Sequence, residues 1–424
     1  MQPRVLVVGE RKSTVSEAVR LGYEVWLAQR PADCEPVRDP GPEVIVLTDY
    51  TAPGFVDLAS DLHQVRPFAA VFGITENALL PAAALTSRLS LPGAGIDTAR
   101  VLTDKWAMRA HLAERGLSPV RAALGSTAAD LRAFGAEAGF PFIAKPVAGT
   151  GSFGINLVRG QDQADDVVSR ITRTGATAFL MEEFLDGKEI SVESFSFGGR
   201  HVVVTLTDKL SGADFIEVGH CMPALVDGET AAEVAELTGR FLDAVGLTDG
   251  PSHVEVKLTS RGPRIVEGHC RRGGDHFNDL IRMVFGVDME ALTVGWALGR
   301  ADPILQSPTA NGAAAIHFVH AGQGEVLAVD GADSVRAQPG IVDVQLSFGV
   351  GDQIGPVRWS LDRPGYVIAT GPDPAAAAAT ARAGAERIQF TLKQAAGSSP
   401  DVARERYLSR ELDQSRHVGY PRAD

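Results

Sequence analysis

The sequence predicts an α/β protein with several domains, in which open α/β and α+β regions follow one another. The chain has 424 residues, enough for two to four domain-sized units. Short β-branched runs alternate with helical stretches in the first 95 residues, which is typical of an open α/β sheet. Later strands pair around glycine turns, as antiparallel hairpins do.

Composition excludes several classes of protein. The formal net charge of −13 argues against a surface that coats nucleic acid, so we expect no nucleic-acid partner. The cysteines, Cys34, Cys221 and Cys270, are far apart and form no CxxC pair, which argues against a zinc knuckle and a disulfide framework. The apolar run in "MQPRVLVVGE" is too short for a signal sequence or a membrane span. We therefore expect a cytoplasmic protein with no membrane partner.

The first domain is predicted to consist of alternating strands and helices. A helix is predicted over 13–21, and strands are predicted over 4–9, 23–29, 43–48 and 68–74. A dinucleotide-binding fold would carry G-x-G-x-x-G after the first strand, where this chain has "GERKST". The domain is therefore interpreted as a scaffold or a wall of the substrate site, and an oxidoreductase is disfavoured.

The middle and the end of the chain contain mixed elements. We predict one helix from about Asp97 to Gly116, strands around a glycine-rich loop in 140–160, and a strand in 177–185. Hairpins are predicted over 188–209 and 252–268, a helix over 233–247, and strands with an alanine-rich helix at 374–388 in 314–392. The expected divisions are 1–95, 96–187, 188–306, 307–395 and a charged tail, 396–424.

The stretch "PFIAKPVAGTGSFGINLV" has the composition of an anion-binding loop. Lys145 ends a strand, and Gly149, Gly151 and Gly154 alternate with hydroxyl residues such as Ser152. Glycines let backbone N–H groups approach an anion, and a lysine supplies a point charge for a phosphate. The P-loop pattern is absent, so an ordinary glycine-rich hairpin loop is the alternative.

Carboxylates surround the next strand. Glu182, Glu183 and Glu189 flank a glycine turn at the end of "FLMEEFLDGKEI". One acceptor could serve the amino group of a purine and another the hydroxyls of a ribose. The alternative is a solvated acidic loop.

Glu255 and Glu267 lie on consecutive strands of one predicted hairpin. Adjacent antiparallel strands can bring the two carboxylates close together, where they repel unless a cation lies between them. Mg2+ that bridges nucleotide phosphates needs such oxygens. The alternative is a pair of exposed strand glutamates bonded to lysine or arginine.

The stretch "PRIVEGHCRRGGDHFNDLI" begins in the second strand of that hairpin and contains acidic and basic residues close together. Arg271 and Arg272 suit an oxyanion because the guanidinium binds carboxylate or phosphate in a bidentate way. Gly273 and Gly274 would let backbone amides approach the same anion. The pattern predicts a site where a metal-bound nucleotide and an anionic substrate meet.

With these motifs in order, the chain resembles the ATP-grasp superfamily of carboxylate–amine ligases from roughly residue 4 to residue 392. It is most similar to the L-amino-acid (dipeptide) ligase branch. Lys105 in "LTDKWAMRAHL" matches the family's early lysine, and Lys145 with Pro146 matches its second lysine. The stretch "FIEVGHCMPA" resembles the substrate-facing segment of that branch, and 314–392 resembles the C-terminal domain of biotin-carboxylase-like members.

The resemblance implies a fold and a set of roles. The fold would comprise an N-terminal open α/β pre-ATP-grasp domain, a two-lobed ATP-grasp domain and a C-terminal biotin-carboxylase-like α+β region. The implied roles are ATP binding by Lys105, Lys145, Ser152, Gly154, Glu182, Glu183, Phe184, Leu185 and Glu189; metal binding by Glu255, Glu267 and His269; substrate binding by Glu217, His220, Arg271, Gly273 and Gly274; and catalysis by Lys145, His269 and Arg271.

His269 departs from the family pattern, which has asparagine as a metal ligand at this position. Imidazole is a poor ligand for Mg2+. His269 could bond a phosphate oxygen, could favour Mn2+, or could mark an impaired site. We favour the first because both lysines and both carboxylates are retained.

The implied reaction joins a carboxylate to an amine with ATP and Mg2+, or Mn2+ in its place, through an acyl phosphate, and releases ADP and phosphate. The partners would be small carboxylate and amine substrates, in particular amino acids, and family resemblance alone suggests a homodimer. Alternatives are an ATP-grasp carboxylase, another carboxylate–amine ligase, and a non-catalytic ATP-binding protein. The sequence names neither the two substrates nor the kind of amide.

Overall fold

A computed structural model of the chain describes residues 2–9, 12–30, 45–46, 49–52, 54–149, 151–212 and 215–393. Within these residues the strands form four sheets. The predicted charged tail, 396–424, lies outside the described residues, as do Cys34 and Thr150. No helix in these ranges is long and apolar enough to span a membrane.

The N-terminal sheet is parallel, with the strand order β3-β2-β1-β4. Its β-branched and aromatic strands have apolar residues packed on both faces, as expected for a sheet covered by helices. The elements are β1 (Arg4–Val8), α1 (Lys12–Arg20), β2 (Glu24–Ala28), β3 (Ile45–Val46), α2 (Phe55–Val65), β4 (Phe68–Gly73) and α3 (Glu76–Leu89).

The single helix predicted from Asp97 is two helices, α4 (Ile96–Thr103) and α5 (Lys105–Glu114). The prediction was wrong because Asp104 adopts an extended conformation and caps the second helix, its carboxylate accepting from the Ala107 N–H at 2.8 Å. The break places Lys105 in the first turn of α5.

The second sheet is antiparallel and has the order β5-β8-β6-β7. The glycine-rich loop connects β6 and β7, as the sequence predicts. The elements are β5 (Ala122–Gly125), α6 (Ala128–Ala138), β6 (Phe142–Pro146), β7 (Asn156–Val158), α7 (Ala164–Arg173) and β8 (Phe179–Glu183).

A long sheet has the order β13-β12-β9-β10-β11-β14-β18-β16, and a small sheet has the order β17-β15-β19. Strands before and after residue 306 pair directly, since β11 is antiparallel to β14. The elements are β9 (Lys188–Phe197), β10 (Arg200–Ser211), β11 (Glu217–Met222), α8 (Gly228–Ala244), β12 (Gly250–Thr259), β13 (Gly262–His269), α9 (Phe277–Phe285), α10 (Met289–Ala297), β14 (Ala313–Phe318), β15 (Gly324–Asp330), α11 (Ala332–Arg336), β16 (Ile341–Leu346), β17 (Gln353–Ile354), β18 (Gly365–Gly371), α12 (Pro374–Arg387) and β19 (Gln389–Lys393).

Apolar side chains fix the two faces of the long sheet. One cluster joins α4, α5 and α8 to β9, β12 and β13, with Phe241 and Val254 fully buried in it. A second cluster packs α9 and α10 against the other face through Phe195, Leu280 and Ile281. Burial of these side chains stabilises the frame that holds the site.

Candidate active site

A cavity of about 290 Å3 lies where the N-terminal sheet, the antiparallel sheet and the long sheet meet. Its walls come from segments far apart in sequence. Of the residues predicted for the site, those that line the cavity are Lys105, Lys145, Ser152, Glu182, Glu183, Phe184, Leu185, Glu189, Glu217, His220, Glu255, Glu267, His269, Arg271 and Gly274.

Glu255 and Glu267 stand directly opposite each other on β12 and β13, as the hairpin spacing predicts. Lys209 Nζ bonds Glu255 Oε1, and Lys105 Nζ lies 3.1 Å from Glu267 Oε2. Burial would raise the pKa of both carboxyls, but the attraction of the lysines outweighs it and holds both pKa values well below the ordinary range. The pair is therefore ionised, and it is partly buried.

Lys105 reaches this pair from the first turn of α5. Its Nζ also donates to the Gly149 carbonyl at 2.7 Å, and its backbone N–H donates to the Val147 carbonyl at 2.8 Å. Burial would lower the pKa of Lys105, but Glu267 raises it above its ordinary value. Lys105 therefore carries a positive charge beside the glycine-rich loop.

Lys145 and Glu182 form a buried ion pair at the floor of the cavity. Lys145 Nζ lies 2.7 Å from Glu182 Oε2, and Arg109 Nε lies 2.6 Å from Glu182 Oε1. The same arginine donates to the carbonyls of Ile265 and Val266, which ties α5 to β13. Both oxygens of Glu182 therefore have cationic partners.

Glu183, also predicted to bind ATP, points to another set of partners. Its carboxylate accepts from the Arg121 backbone N–H at 3.1 Å and lies 3.0 Å from Arg261 NH2. It still borders the cavity.

Sequence reasoning missed Lys209, a buried lysine of β10 in the middle of the carboxylates. Its Nζ lies 3.0 Å from Glu189 and 3.3 Å from Glu217, besides its bond to Glu255. Burial would lower its pKa, but these three carboxylates raise it well above the ordinary value. A lysine inside the alternating strand "HVVVTLTDKL" was the available signal.

Glu76 was also missed, although it immediately follows the loop after β4. Arg271 Nε lies 2.8 Å from Glu76 Oε2, and His269 Nδ1 lies 3.6 Å from the same oxygen. Burial would raise the pKa of Glu76, but Arg271 and His269 hold it well below the ordinary range. Residues at the carboxyl ends of parallel strands often meet ligands, and that rule could have found it.

His269 bonds a carboxylate in this structure. Its Nε2 lies 3.0 Å from Glu267 Oε1. Binding of a phosphate oxygen or a metal by this ring stays a prediction.

His253 is a third group that the sequence did not single out. Its Nδ1 lies 2.5 Å from the fully buried Glu193, and its Nε2 lies 3.4 Å from Glu255. Burial would lower the pKa of His253, but Glu193 raises it to about 9. The imidazolium thus adds positive charge behind Glu255.

At the other end of the cavity, His220 is held by Asp275. His220 Nε2 lies 3.2 Å from Asp275 Oδ2, and Arg363 NH2 lies 2.5 Å from Asp275 Oδ1. Asp275 and His276 have left-handed φ values of 42° and 63°, which are uncommon for non-glycine residues. Sequence reasoning assigned no role to Asp275 or Arg363.

Gly154 and Gly273, which were predicted to bind ATP and substrate respectively, do not line the cavity. The Gly273 N–H donates to Glu193 at 3.2 Å, so it does not face an anion in the cavity, contrary to the expectation. Gly154 turns the loop at φ 78°, and its carbonyl accepts from the Asn156 side chain at 2.8 Å. Its part is to shape the loop, because an added Cβ would meet Pro146 at 3.0 Å.

The carboxylate pair fits a Mg2+ site that nucleotide oxygens complete. No cluster of three or more His, Cys, Asp or Glu side chains among the described residues forms a metal site on its own. Mg2+ usually binds through one or two carboxylates together with phosphates and water. Two ionised, partly buried carboxylates that lie opposite each other meet that requirement.

Three ranges of this chain match domains of known protein families. Residues 15–93 match the ATP-grasp N-terminal domain, residues 138–278 match the ATP-grasp domain, and residues 317–393 match the L-amino acid ligase C-terminal domain 2. The crystal structure of L-amino acid ligase from Bacillus licheniformis superposes with a TM-score of 0.78 at 22% identity, covering 93% of this chain and 100% of that one.

Two curated relatives are ligases. Alanine–anticapsin ligase of Bacillus subtilis (strain 168) is 28% identical over 285 residues, which are 58% of this chain and 60% of that protein. L-arginine-specific L-amino acid ligase of Bacillus subtilis is 24% identical over 318 residues, which are 73% of this chain and 76% of that protein. The chain thus spans little more than half the length of the alanine–anticapsin ligase.

The fold is thus an ATP-grasp fold, and the chain carries an ATP-grasp N-terminal domain followed by an ATP-grasp domain. Its C-terminal part, in turn, is an L-amino acid ligase C-terminal domain 2.

Proposed function

We propose that the protein is an ATP-dependent ligase that joins the carboxylate of an amino acid or another small acid to an amine and releases ADP and phosphate. The observation that carries the proposal is the convergence of Lys105, Lys145, Glu255 and Glu267 on one cavity. The two carboxylates share one hairpin, whereas Lys105 and Lys145 reach them from α5 and β6, which are more distant in sequence. The C-terminal domain and the named relatives support amino acids as the substrate class.

In this proposal ATP binds between the antiparallel sheet and the long sheet. Lys105 and Lys145 hold the phosphates, and the glycine-rich loop with Ser152 covers them. The backbone of Glu183, Phe184 and Leu185, next to Glu182, meets the purine, and Glu189 accepts from the ribose. Mg2+, or Mn2+ in its place, held by Glu255 and Glu267, would neutralise charge on the phosphates.

The first step is phosphoryl transfer to the substrate carboxylate. A carboxylate oxygen attacks the γ-phosphorus, the bond to the bridging oxygen breaks, and ADP leaves. Arg271 steadies the negative charge on the transferred group. The contact between His269 and Glu267 keeps that carboxylate in place during the transfer.

The second step is attack of the amine on the acyl carbon, which releases phosphate. Glu217 and His220 orient the amine group, and Gly274 also lines the cavity. The closed loop excludes water, since an acyl phosphate exposed to water would hydrolyse.

The proposed ligase function also implies a division of the chain into domains. We propose that 1–95 forms the pre-ATP-grasp domain, 96–187 and 188–306 the two lobes, and 307–395 the C-terminal domain. Cys221 and Cys270 are buried free thiols, which supports a reducing cytoplasm as the location.

Turnover with mixed amino acids tests the proposal. The protein is supplied with ATP, Mg2+ and all pairs of the common L-amino acids, and nucleotide products and masses are recorded. We expect ADP, phosphate and a product lighter by one water than its two substrates combined. AMP and pyrophosphate as products would indicate adenylation and contradict the proposed reaction.

A further inference from the structure

Residues 359–363, here called the bridging segment, connect the C-terminal part of the chain to two functional parts of the cavity. The segment contains a single 3-10 turn, Ser360–Asp362. Trp359, Ser360 and Leu361 line the cavity, although no motif in the sequence pointed to them.

One side of the bridging segment holds the glycine-rich loop. The Ser360 N–H donates to the Gly151 carbonyl at 3.2 Å. The Trp359 and Phe153 rings meet edge to face, with centroids 5.9 Å apart. The loop is thus bound to a segment more than 200 residues away.

The other side of the bridging segment holds Glu217. Ser360 Oγ donates to Glu217 Oε2 at 2.8 Å, and Arg363 NH1 donates to the Glu217 carbonyl at 3.2 Å. Glu217 Oε1 lies 3.3 Å from Lys209 Nζ. The carboxylate is therefore held between Lys209 and Ser360.

Two residues of the bridging segment are buried. Ser360 is only 8% exposed and Arg363 only 7% exposed. The Arg363 guanidinium stacks over Phe318, 3.4 Å from the ring centroid, and its Nε donates to the Ser360 carbonyl. Arg363 thereby fixes the position of Ser360.

We propose that Ser360 is a positioning residue that links closure of the glycine-rich loop to the orientation of Glu217. Its backbone N–H serves the loop and its hydroxyl serves the carboxylate, so the amine is oriented in the same state in which water is excluded. This inference rests on the proposed ligase function. If the link is lost, water attacks the acyl phosphate in place of the amine and gives carboxylate, hydrogen phosphate and a proton.

The link is tested by measuring how much phosphate is released for each amide formed. Ser360→Ala removes the hydroxyl and keeps the backbone donor, Ser360→Thr keeps both, and Ser334→Ala is a matched change at an exposed serine of α11. Each variant receives ATP, Mg2+ and an equimolar mixture of the common L-amino acids. We expect Ser360→Ala to release at least about threefold more phosphate per amide and to raise the KM for amino acids more than the KM for ATP.

Ser360→Thr should restore the wild-type ratio, and Ser334→Ala should not change it. An unchanged ratio in a folded Ser360→Ala variant, while the wild type forms amides, would overturn the inference and leave the proposed function standing. The reverse failure, in which the wild type forms no amide, would count against the proposed function.

Hydrogen exchange gives a readout that does not need amide formation. With Mg2+ and β,γ-imido-ATP, we expect peptides covering 151–158 to exchange faster in Ser360→Ala and in Phe153→Ala than in the wild type and in Ser334→Ala. Phe153→Ala tests the contact from the loop side, so the inference does not depend on one variant. Identical exchange in all four proteins would contradict the link.

Discussion

Lys209 illustrates, for a single residue, how the site keeps charges buried. Its ammonium group lies among Glu189, Glu217 and Glu255, each of which borders the cavity. Removing such groups from water costs several kcal/mol per ion, and buried ion pairs repay that cost only with good geometry. Such an arrangement is weak evidence for stability, so we interpret it as a feature that serves ligand binding.

Glu267 is the residue whose loss should affect turnover most. Glu267→Gln keeps the shape of the side chain but removes the charge that pairs with Lys105 and that would bind Mg2+. We expect ATP turnover to fall by about 100-fold or more, the scale of losing one electrostatic group in an active site. Phosphate release measures the effect.

A matched variant separates this effect from folding. Glu137→Gln makes the same chemical change on an exposed position of α6 and should retain wild-type turnover. Both proteins should show a cooperative melting transition. Wild-type phosphate release by a folded Glu267→Gln protein would refute the role given to this carboxylate.

Among the elements, the hairpin of β12 and β13 and the helix α5 contribute in different ways. The hairpin is local, so the spacing of Glu255 and Glu267 was enough to predict that they meet. The helix brings Lys105 and Arg109 from a distant part of the chain, and its start is fixed by the Asp104 cap. Placement of Lys105 therefore depends on a cap outside the cavity.

Asp104→Ala should reduce both stability and ATP affinity. Loss of an N-cap costs about 1 kcal/mol, and here the freed helix end also carries Lys105. We expect a lower melting temperature and a several-fold higher KM for ATP. Steady-state kinetics and thermal unfolding measure the two effects.

Asp227→Ala is the control for this prediction. Asp227 caps α8 in the same way, accepting from the Thr230 N–H at 2.8 Å, but α8 contributes no residue to the cavity lining. It should lower the melting temperature similarly while the KM for ATP stays at the wild-type value. If both variants raised that KM equally, the cap of α5 would have no special role in placing Lys105.

In the molecule as a whole, Asp275 joins the region after β13 to the C-terminal part through Arg363. Burial would raise the pKa of Asp275, but Arg363 and His220 hold it below its ordinary value. Its contribution to stability is therefore complete above the unfolded pKa of about 4 and is lost as the pH falls through the folded pKa. Asp275→Asn should thus lower the melting temperature by a constant amount from pH 5 to 8 and by less below about pH 4.

The double variant Asp275→Asn with Arg363→Met is the comparison for that experiment. Arg363→Met removes the guanidinium that lowers the pKa of Asp275. The pH dependence of the difference between Arg363→Met and the double variant should be much weaker than that between the wild type and Asp275→Asn. Equal pH dependence in both comparisons would mean that Arg363 is not the cause.

The parts of the fold and site that depend on residues close together in the sequence could be predicted. The alternating strands, the glycine-rich loop and the paired glutamates are each encoded within about 30 residues, and most of them occur as predicted. Glu76 and Arg363 were not predicted, because each acquires its role from a partner far away in sequence, Arg271 and Asp275 respectively. Lys209 was not predicted either, because its three carboxylate partners lie on three different strands. Gly273 was misjudged for the same reason, since its amide is taken by Glu193 from β9.

The pairing of β11 with β14 has a consequence for any attempt to exchange C-terminal parts among related enzymes. If the chain ended at residue 306, β11 would keep β10 but lose β14, and it would present a row of unsatisfied N–H and C=O groups to solvent. Such an edge invites strand addition between molecules. A chimera would therefore have to carry β14, β16 and β18 together.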